Sequence, residues 1–268
     1  MQDKGNIGLF DSGIGGTSIW KEVVTHLPYE NTIYLADSKH APYGAKSKEE
    51  IIALSVKNTE KLIQLGAKII VVACNTATTN AIDYLRKNYD IPFIGIEPAI
   101  KPAALNSKNK TIGILATKGT LNSTLFQDTS EKWTQGTKVI EVIGEGLVPL
   151  IEKGDLESSV LRKLLESYVA PMIAQEIDYL VLGCSHYPYL IPLLTELLPQ
   201  EVTIIDSGLA VARQTKSVLT EINACNTATN GNHQLFTNGD PSILEKVLVR
   251  FRESVTPPLD ITIKKLDF

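Results

Sequence analysis

Two cysteines occupy matching places in the chain, each directly after an apolar run. Cys74 follows Ile69-Ile70-Val71-Val72-Ala73, and Cys184 follows Tyr179-Leu180-Val181-Leu182-Gly183. Each run is typical of a buried parallel strand, and polar residues able to cap a helix come next, Asn75 or Thr76 in the first copy. A helix N-terminus favours the thiolate over the thiol, so we expect the pKa of each cysteine to be lowered. A single cysteine is more often a small buried hydrophobic residue, but the repeated setting favours a function for the pair.

A third cysteine provides an internal control. Residues 224–229 repeat Ala73-Cys74-Asn75-Thr76-Ala77-Thr78 letter for letter, with Cys225 in the place of Cys74. That copy follows a polar helix end and no apolar strand, so we interpret it as a surface loop. The hexapeptide alone therefore does not specify a site, and the strand before it does.

Composition narrows the class of protein. The chain has 268 residues, 43% hydrophobic content and a net charge of −4, with no cluster of lysine and arginine, so neither a nucleic-acid nor a membrane partner is expected. Three cysteines, an odd number, and an N-terminus that lacks a signal-like pattern favour reduced thiols and a cytoplasmic location. A homodimer is compatible with the sequence.

Two kinds of cofactor site are disfavoured by spacing. Neither Cys74 nor Cys184 has a second cysteine or histidine at the spacing of a metal site, and Cys184-Ser185-His186 by itself supplies too few ligands. The turn Asp11-Ser12-Gly13-Ile14-Gly15-Gly16 resembles a dinucleotide fingerprint, but Ser18 stands where the third glycine would fall. We therefore expect neither a metal nor a cofactor.

Strands and helices are predicted to alternate, which is typical of a mainly parallel sheet. Strands are predicted at residues 7–10, 31–37, 69–73, 92–96, 111–116, 138–143, 179–183, 202–205, 234–237 and 259–265. Helices are predicted at residues 18–27, 47–65, 75–86, 146–153, 156–175, 209–222 and 242–251, with a further helix started by Pro188. The Ser-x-x-Glu pattern of residues 47–50 predicts a capping box. Residues 101–110 are predicted to be a polar loop and residues 117–120 a turn.

Matched spacings indicate a duplicated unit. The chain has 66 residues from Gly8 to Cys74 and 71 from Gly113 to Cys184, and the next strand ends follow 23 and 22 residues later. We therefore predict an α/β fold of two similar domains, each a mainly parallel sheet flanked by helices. The domains would be related by a pseudo-twofold axis, with the active site in the cleft between them. The predicted bounds are residues 1–98 plus 208–268 for the first domain and residues 99–207 for the second.

Other residues beside the predicted cleft could assist the thiols. His186 lies two residues after Cys184, where an imidazolium would favour the thiolate. Asp11 ends the first strand and could polarise a neighbouring group, and Ser12 and nearby N–H groups could hold a carboxylate. Glu152, considered alone, is predicted to be a solvated helix residue.

Four spaced motifs resemble glutamate racemase of the aspartate/glutamate racemase family, in this order and across nearly the whole chain. They are Asp11-Ser12-Gly13-x-Gly15-Gly16, Pro42-Tyr43-Gly44, Ala73-Cys74-Asn75-Thr76-Ala77 and Gly183-Cys184-Ser185-His186-Tyr187-Pro188. The resemblance implies a cofactor-independent enzyme of two α/β domains that makes D-glutamate for bacterial peptidoglycan.

The resemblance also implies roles for individual residues. Cys74 and Cys184 would be the catalytic bases, acting on D-glutamate and L-glutamate respectively. Assisting roles would fall to Asp11, Glu152 and His186. Substrate contacts would fall to Asp11, Ser12, Tyr43, Gly44, Asn75, Thr76, Ser185 and His186. The chain departs from the family at Ser185, where threonine is usual, and this departure keeps the hydroxyl.

Inversion of an α-carbon without a cofactor explains a need for two thiols, because one base removes the proton from one face and another delivers a proton to the other. Contacts of roughly 3–3.5 Å on each side imply sulfurs about 7 Å apart. Three alternatives stay open on the residues alone. They are a racemase for aspartate, a two-domain protein that binds an anion without changing it, and a dithiol redox protein.

Overall fold

The computed structural model describes residues 5–227, 230–254 and 259–268. Its strands are β1 (Asn6–Asp11), β2 (Thr32–Ala36), β3 (Ala67–Val72), β4 (Phe93–Gly95), β5 (Thr111–Ala116), β6 (Lys138–Ile143), β7 (Tyr179–Gly183), β8 (Thr203–Ile205), β9 (Asn232–Thr237) and β10 (Asp260–Lys265). Its α-helices are α1 (Thr17–His26), α2 (Lys48–Gln64), α3 (Asn75–Asn88), α4 (Ile100–Asn106), α5 (Lys118–Leu121), α6 (Thr124–Trp133), α7 (Leu147–Glu152), α8 (Ser159–Ile173), α9 (Ile191–Leu197), α10 (Gly208–Glu221) and α11 (Pro241–Ser254). Short 3₁₀ helices cover Ser38–His40, Tyr43–Ala45 and Tyr187–Leu190.

The strands form two sheets in which every described pair of neighbours is parallel. The first sheet has the order β10-β9-β2-β1-β3-β4, and the second has the order β6-β5-β7-β8. The order β2-β1-β3-β4 in the first sheet is repeated as β6-β5-β7-β8 in the second. The predicted fold class, two mainly parallel sheets flanked by helices, is therefore confirmed. The C-terminal strands β9 and β10 join the first sheet, while the residue bounds of the two domains stay a prediction.

Strand β3 shows why an apolar run forms the centre of the first sheet. Ile69 and Val71 are buried in one hydrophobic cluster, and Ile70 and Val72 are buried in another. Side chains alternate between the faces of a strand, so both faces of β3 are covered. A polar residue at any of these positions would lie in an apolar core, which is why the run is continuous.

Each sheet reverses its strand order beside its first strand. The chain passes from β1 to β2 on one side and later to β3 on the other, and it passes from β5 to β6 and β7 in the same way. Crevices at the carboxyl ends of strands form where the order reverses, and ligands of open α/β sheets bind there. Cys74 follows β3 and Cys184 follows β7, so the two cysteines occupy equivalent positions in the two sheets.

The segment after β4 differs from the prediction. Residues 101–110 were predicted to be a polar loop, but α4 covers Ile100–Asn106. Ile100, Ala103 and Ala104 are buried on one side of it, at the spacing of a helix face. This face is only one turn long, so the exposed polar residues around it dominated the sequence pattern.

Two further helices follow β5. Residues 117–120, predicted to be a turn, belong to the start of α5, whose first turn is capped by the Thr117 side chain. Helix α6 was not predicted, because Phe126 and Ser130 alone are buried along it. Thr117, which caps α5, lines the cleft described below, so the omission of α5 removed part of one wall.

The capping box at the start of α2 is confirmed. The Ser47 hydroxyl accepts the Glu50 backbone N–H at 3.2 Å, and the Glu50 carboxylate accepts the Ser47 N–H at 2.9 Å. These reciprocal bonds satisfy two N–H groups that a helix start leaves unpaired. They fix the point at which the chain leaves the loop at residues 42–45 and enters α2.

Candidate active site

Cys74 lies at the junction of β3 and α3 and is 4% exposed. Its sulfur accepts the Ala77 backbone N–H at 3.5 Å, so Cys74 itself is the N-cap of α3. The prediction that Asn75 or Thr76 caps this helix was wrong, because the helix begins one residue earlier than that cap requires. The sulfur therefore lies directly at the positive end of α3.

Cys184 follows β7 and is 6% exposed. The chain turns immediately, since the Tyr187 N–H donates to the Cys184 carbonyl at 3.0 Å. The 3₁₀ helix Tyr187–Leu190 has Pro188 in its first turn, as predicted for the start of a helix. The turn brings Nδ1 of His186 to 3.8 Å from the Cys184 sulfur.

A cleft of about 230 Å³ lies between the carboxyl edges of the two sheets and is lined by both cysteines. Every predicted site residue except Asp11 and Glu152 lines it. The lining residues are Ser12, Pro42, Tyr43, Gly44, Cys74, Asn75, Thr76, Thr117, Val148, Cys184, Ser185 and His186. Residues far apart in the chain thus converge on one small space.

Asp11 lies behind the cleft and is fully buried. Its Oδ2 accepts backbone N–H groups from Gly16 at 2.9 Å and Gly13 at 3.2 Å, and its Oδ1 accepts the Ser185 hydroxyl at 3.1 Å. Burial raises the pKa of Asp11, and the nearby His186 imidazolium and the Gly16 N–H oppose that rise. One carboxylate therefore joins the glycine-rich turn after β1 to the residue that follows Cys184.

Glu152 belongs to the same network, so the interpretation of it as a solvated helix residue was wrong. It accepts the Ile14 backbone N–H at 2.7 Å, the Ser38 hydroxyl at 3.0 Å and a hydrogen bond from His186 Nε2 at 2.5 Å. A Cβ on Gly13 would lie 2.0 Å from Glu152 Oε1, so only glycine allows this approach. Tertiary packing thus carries the end of α7 against two loops of the first sheet.

His186 lies between a thiol and a carboxylate. Burial by itself lowers the pKa of His186, but the hydrogen bonds to Cys184 and Glu152 outweigh burial and hold that pKa well above its ordinary value. The imidazolium is therefore the favoured form. It lies against Cys184 as expected, and Glu152 fixes its far side.

The pKa of Cys74 differs from the expectation. Burial raises it well above the ordinary value, and the negative charge of Asp11 adds to the rise. The Ala77 N–H lowers it, but by less than burial raises it. The prediction that a helix N-terminus alone would lower this pKa was wrong, because removal of water from the thiolate has the larger effect. Cys74 is accordingly held as a thiol.

Polar groups on the opposite wall are arranged around Asn75 and Thr76. Both polar atoms of the Asn75 side chain are buried without a hydrogen-bond partner among the described residues. The Thr76 hydroxyl lies 2.9 Å from that of Thr117. Sequence reasoning missed Thr117 and Val148 as lining residues. A signal for Thr117 existed, because it is a polar residue directly after a predicted strand.

Cys225 does not line this cleft. Residues 224–227 have no helix or strand, as the loop interpretation expected, while residues 228 and 229 lie outside the described residues. The loop is less exposed than expected, since Asn226 is 8% exposed and its N–H donates to Glu30 Oε1 at 2.7 Å. Residues 224–227 thus adopt a different conformation from residues 73–76, which a buried strand precedes.

The described residues contain neither a metal-binding cluster nor a membrane-spanning helix. No group of three or more histidine, cysteine, aspartate or glutamate side chains in the described ranges is placed to hold a metal ion. No helix within those ranges is long and apolar enough to cross a membrane.

Comparisons with known proteins agree with the motifs. The family model Asp/Glu/Hydantoin racemase matches residues 15–215. A glutamate racemase from Herpetosiphon aurantiacus is 43% identical over 242 residues, which cover 90% of this chain and 95% of the relative. The crystal structure of a glutamate racemase isoform, RacE1, from Bacillus anthracis has a TM-score of 0.87 at 29% identity and covers 100% of this chain and 99% of its own. The Escherichia coli glutamate racemase solved with L-glutamate and the activator UDP-MurNAc-Ala has a TM-score of 0.83 at 30% identity, with coverage of 97% and 98%.

Proposed function

The chain belongs to the Asp/Glu/hydantoin racemase family and is an amino-acid racemase, and on that basis we propose that it interconverts L- and D-glutamate without a cofactor. The names of its relatives support glutamate as the substrate. The cleft is lined by thiol, hydroxyl, amide and imidazole side chains, which suits a small polar molecule.

One observation carries the proposal, namely that two thiols from equivalent strand ends line the same small cleft. A racemase needs one proton-transfer group on each face of the α-carbon. Two sheets of the same strand order that face each other supply such a pair by symmetry. The need for one proton-transfer group on each face accounts for the presence of Cys74 and Cys184 at matching places.

The proposed reaction moves one proton off the α-carbon and another onto it. In the L-to-D direction the Cys184 thiolate takes the α-proton and becomes a thiol, and the electron pair stays on the substrate as a carbanion delocalised into its carboxylate. The Cys74 thiol then gives its proton to the opposite face and becomes a thiolate. The reverse direction exchanges the roles, so that Cys74 acts on D-glutamate.

Different groups assist the two transfers. His186, oriented by Glu152, lies against Cys184 and favours its thiolate. Asp11 is close enough to Cys74 to affect its pKa and is placed to exchange a proton with that thiol or with the substrate ammonium group. Each thiol therefore has its own assisting side chain.

Substrate binding is assigned to the polar residues of the cleft wall. Asn75 offers an amide without a partner among the described residues, which a substrate carboxylate or ammonium group would satisfy. Hydroxyls and backbone N–H groups complete the site at Ser12, Tyr43, Gly44, Thr76, Ser185 and His186. The start of α3 directs N–H groups at the position where charge develops, which lowers the barrier to carbanion formation.

We assign the D-glutamate product to bacterial peptidoglycan synthesis in the cytoplasm, and through it to cell shape. The assignment follows from the resemblance of the whole chain to glutamate racemases. Expression of the chain in a bacterium that requires added D-glutamate tests it. Growth without D-glutamate is expected with wild type and not with Cys184→Ser, and growth that still requires D-glutamate with wild type would contradict the role.

Racemisation in heavy water tests the reaction itself. Wild type is expected to convert either enantiomer of glutamate to the other with deuterium at the α-carbon, followed by circular dichroism and mass spectrometry. Cys74→Ser and Cys184→Ser are each expected to lose racemisation, while Cys225→Ser, the matched control outside the cleft, keeps it. Turnover of aspartate but not of glutamate would change the substrate, and no α-deuteration with wild type would leave binding without chemistry.

A further inference from the structure

The Tyr43 hydroxyl is fully engaged away from any substrate. It donates to Asp37 Oδ2 at 2.5 Å and accepts from the Asn58 side-chain amide at 3.1 Å, and Tyr43 is 1% exposed. Burial raises the pKa of Tyr43 well above its ordinary value, and Asp37 adds to the rise, so the phenol stays protonated and keeps donating. Tyr43 therefore contributes to the cleft through atoms other than its hydroxyl, and the hydroxyl anchors it.

The acceptor, Asp37, collects donors from three directions. Besides the Tyr43 hydroxyl, it accepts from Nδ1 of His40 at 2.6 Å and from the Asn238 side-chain amide at 2.5 Å. Asp37 is 2% exposed, so water does not replace a lost donor readily. Hydrogen bonds to a carboxylate are stronger and more directional than neutral ones, so these donors fix the position of the Asp37 carboxylate.

Asn238 reaches this carboxylate because of strand register. β9 pairs with β2 in parallel, with Thr237 opposite Ala36, so the next residues, Asn238 and Asp37, meet at one sheet edge. Asn238 is 1% exposed, and its Oδ1 accepts the Lys39 backbone N–H at 2.9 Å. Its amide thus holds the loop after β2 at two points.

The loop that Tyr43 belongs to tolerates little movement. A Cβ on Gly44 would lie 2.8 Å from Cβ of Thr117, so the backbone at Gly44 packs directly against the start of α5. A Cβ on Gly119 would in turn lie 3.1 Å from Cα of Gly44. Both Gly44 and Thr117 line the cleft. Small displacements of a binding wall are costly, because a misplacement of about 1 Å can lower the rate roughly 10²-fold.

We propose that Asn238 is a positioning residue of the racemase site, acting through the Asp37 carboxylate and the Tyr43 phenol to hold residues 42–44 against the second half of the molecule. The inference rests on the proposed function, since the wall it positions is the glutamate-binding wall. It gives β9, a strand added to the repeated four-strand order, a role in substrate binding.

Steady-state kinetics of Asn238→Leu, Tyr43→Phe and the double variant test this inference, with thermal unfolding measured for each. The matched control is Asn232→Leu, at the opposite end of the same strand, where the side-chain amide bonds Asp260 at 3.0 Å. Asn238→Leu and Tyr43→Phe are each expected to raise KM for both enantiomers about tenfold and to change kcat less than threefold, because loss of one anchoring bond weakens substrate and transition state alike. Asn232→Leu is expected to keep KM within about twofold of wild type.

The double variant separates a positioning role from general destabilisation. If Asn238 acts through the phenol, the double variant has the KM of Tyr43→Phe alone, because the second substitution removes a link that is already broken. Multiplied effects, or a wild-type KM in Asn238→Leu, would overturn the inference. If Asn238→Leu fails to fold, Tyr43→Phe decides alone, and a wild-type KM for it overturns the inference. Wild type in heavy water is the reference, since failure of α-deuteration there defeats the proposed function and not the placement of Asn238.

Discussion

The two thiols occupy the same place in the two sheets and have opposite chemical neighbours. Cys74 follows β3 and Cys184 follows β7, the matching strands of a repeated order. The carboxylate of Asp11 lies behind Cys74. Burial raises the pKa of the Cys74 thiol, and the charge of Asp11 raises it further. Beside Cys184 lies His186, whose favoured form is the imidazolium.

The difference teaches that the repeated strand order sets the positions of the two sulfurs, while side chains that are not repeated set their chemistry. Equivalent strand ends place one sulfur on each wall, whereas the assisting side chains are not repeated. Strand β5, the counterpart of β1, ends in Ala116, and Thr76 holds the place after Cys74 that His186 holds after Cys184. Asp11 ends β1, and Glu152 ends α7. Glutamate racemisation is symmetric between enantiomers, but the two proton transfers proposed for it take place in different electrostatic surroundings.

Replacing one thiol at a time is expected to give the largest difference between the two sides of the site. Cys184→Ser is expected to lose deuterium exchange into L-glutamate by about 10³-fold, because a serine hydroxyl is a far weaker acid and base at this position. The same variant keeps same-face exchange into D-glutamate, since Cys74 is intact. Cys74→Ser is expected to show the reverse, measured by mass spectrometry of each enantiomer in heavy water. A variant that loses both exchanges equally would contradict the assignment of one thiol to each face.

Replacing His186 sharpens the comparison at the Cys184 side. His186→Gln is expected to lower kcat/KM by about 100-fold. The fall must be equal in both directions, because enantiomers are equally stable. The difference between the Cys184 side and the Cys74 side is therefore expected in the primary isotope effects on kcat/KM. The effect with α-deuterated L-glutamate rises, since transfer at Cys184 becomes rate-limiting, and the effect with α-deuterated D-glutamate falls. Unchanged isotope effects would show that His186 does not act through Cys184.

The mirror variant is Asp11→Asn, which keeps the size of the side chain. It is expected to lower kcat/KM roughly 50-fold, since one acidic group is removed beside Cys74 while most hydrogen-bond geometry is retained. The isotope effect is expected to rise with α-deuterated D-glutamate and to fall with the L-enantiomer. If Asp11→Asn and His186→Gln shift the two isotope effects in the same direction, the assignment of one assisting group to each thiol is wrong.

Two buried histidines extend the comparison to stability. His233 belongs to β9, which lies between β10 and β2, and its ring meets the Trp20 ring edge to face, with Nδ1 3.0 Å from the Thr32 hydroxyl. Burial lowers the pKa of His233 to about 4, whereas the charged His186 has a raised pKa.

An unfolded chain binds a proton at His233 near pH 6.5 and the folded chain does not until about pH 4, so acid favours unfolding in that window. A change from pH 7 to pH 5 is expected to cost about 2 kcal/mol of unfolding free energy through this residue. Urea unfolding at pH 7 and pH 5 measures the loss in wild type, and His233→Gln should reduce it. An equal pH dependence in both proteins would show that another group controls acid stability.

Much of the fold followed from local pattern. Continuous Val and Ile runs predicted β3 and its counterparts, because a strand covered on both faces has no polar position. The capping box at Ser47 predicted the start of α2, because its two bonds are local. Helices α4 and α6 were not predicted, since each buries few residues and forms through packing against neighbouring elements.

The sequence by itself determined the two thiols and their strand ends, because these features depend on neighbours in the chain, and the resemblance to the family implied the other motif residues that line the cleft. Only the tertiary structure gave the hydrogen-bond partners of Glu152 and Asn238 and placed Thr117 at the cleft. The Glu152 carboxylate lies on Ile14 and Ser38, and Asn238 meets Asp37 through strand register. The pKa of Cys74 also depends on tertiary structure. Burial raises it by more than the N–H group at the start of α3 lowers it. Local sequence specifies which atoms a residue offers, whereas burial and long-range partners specify their charge and direction.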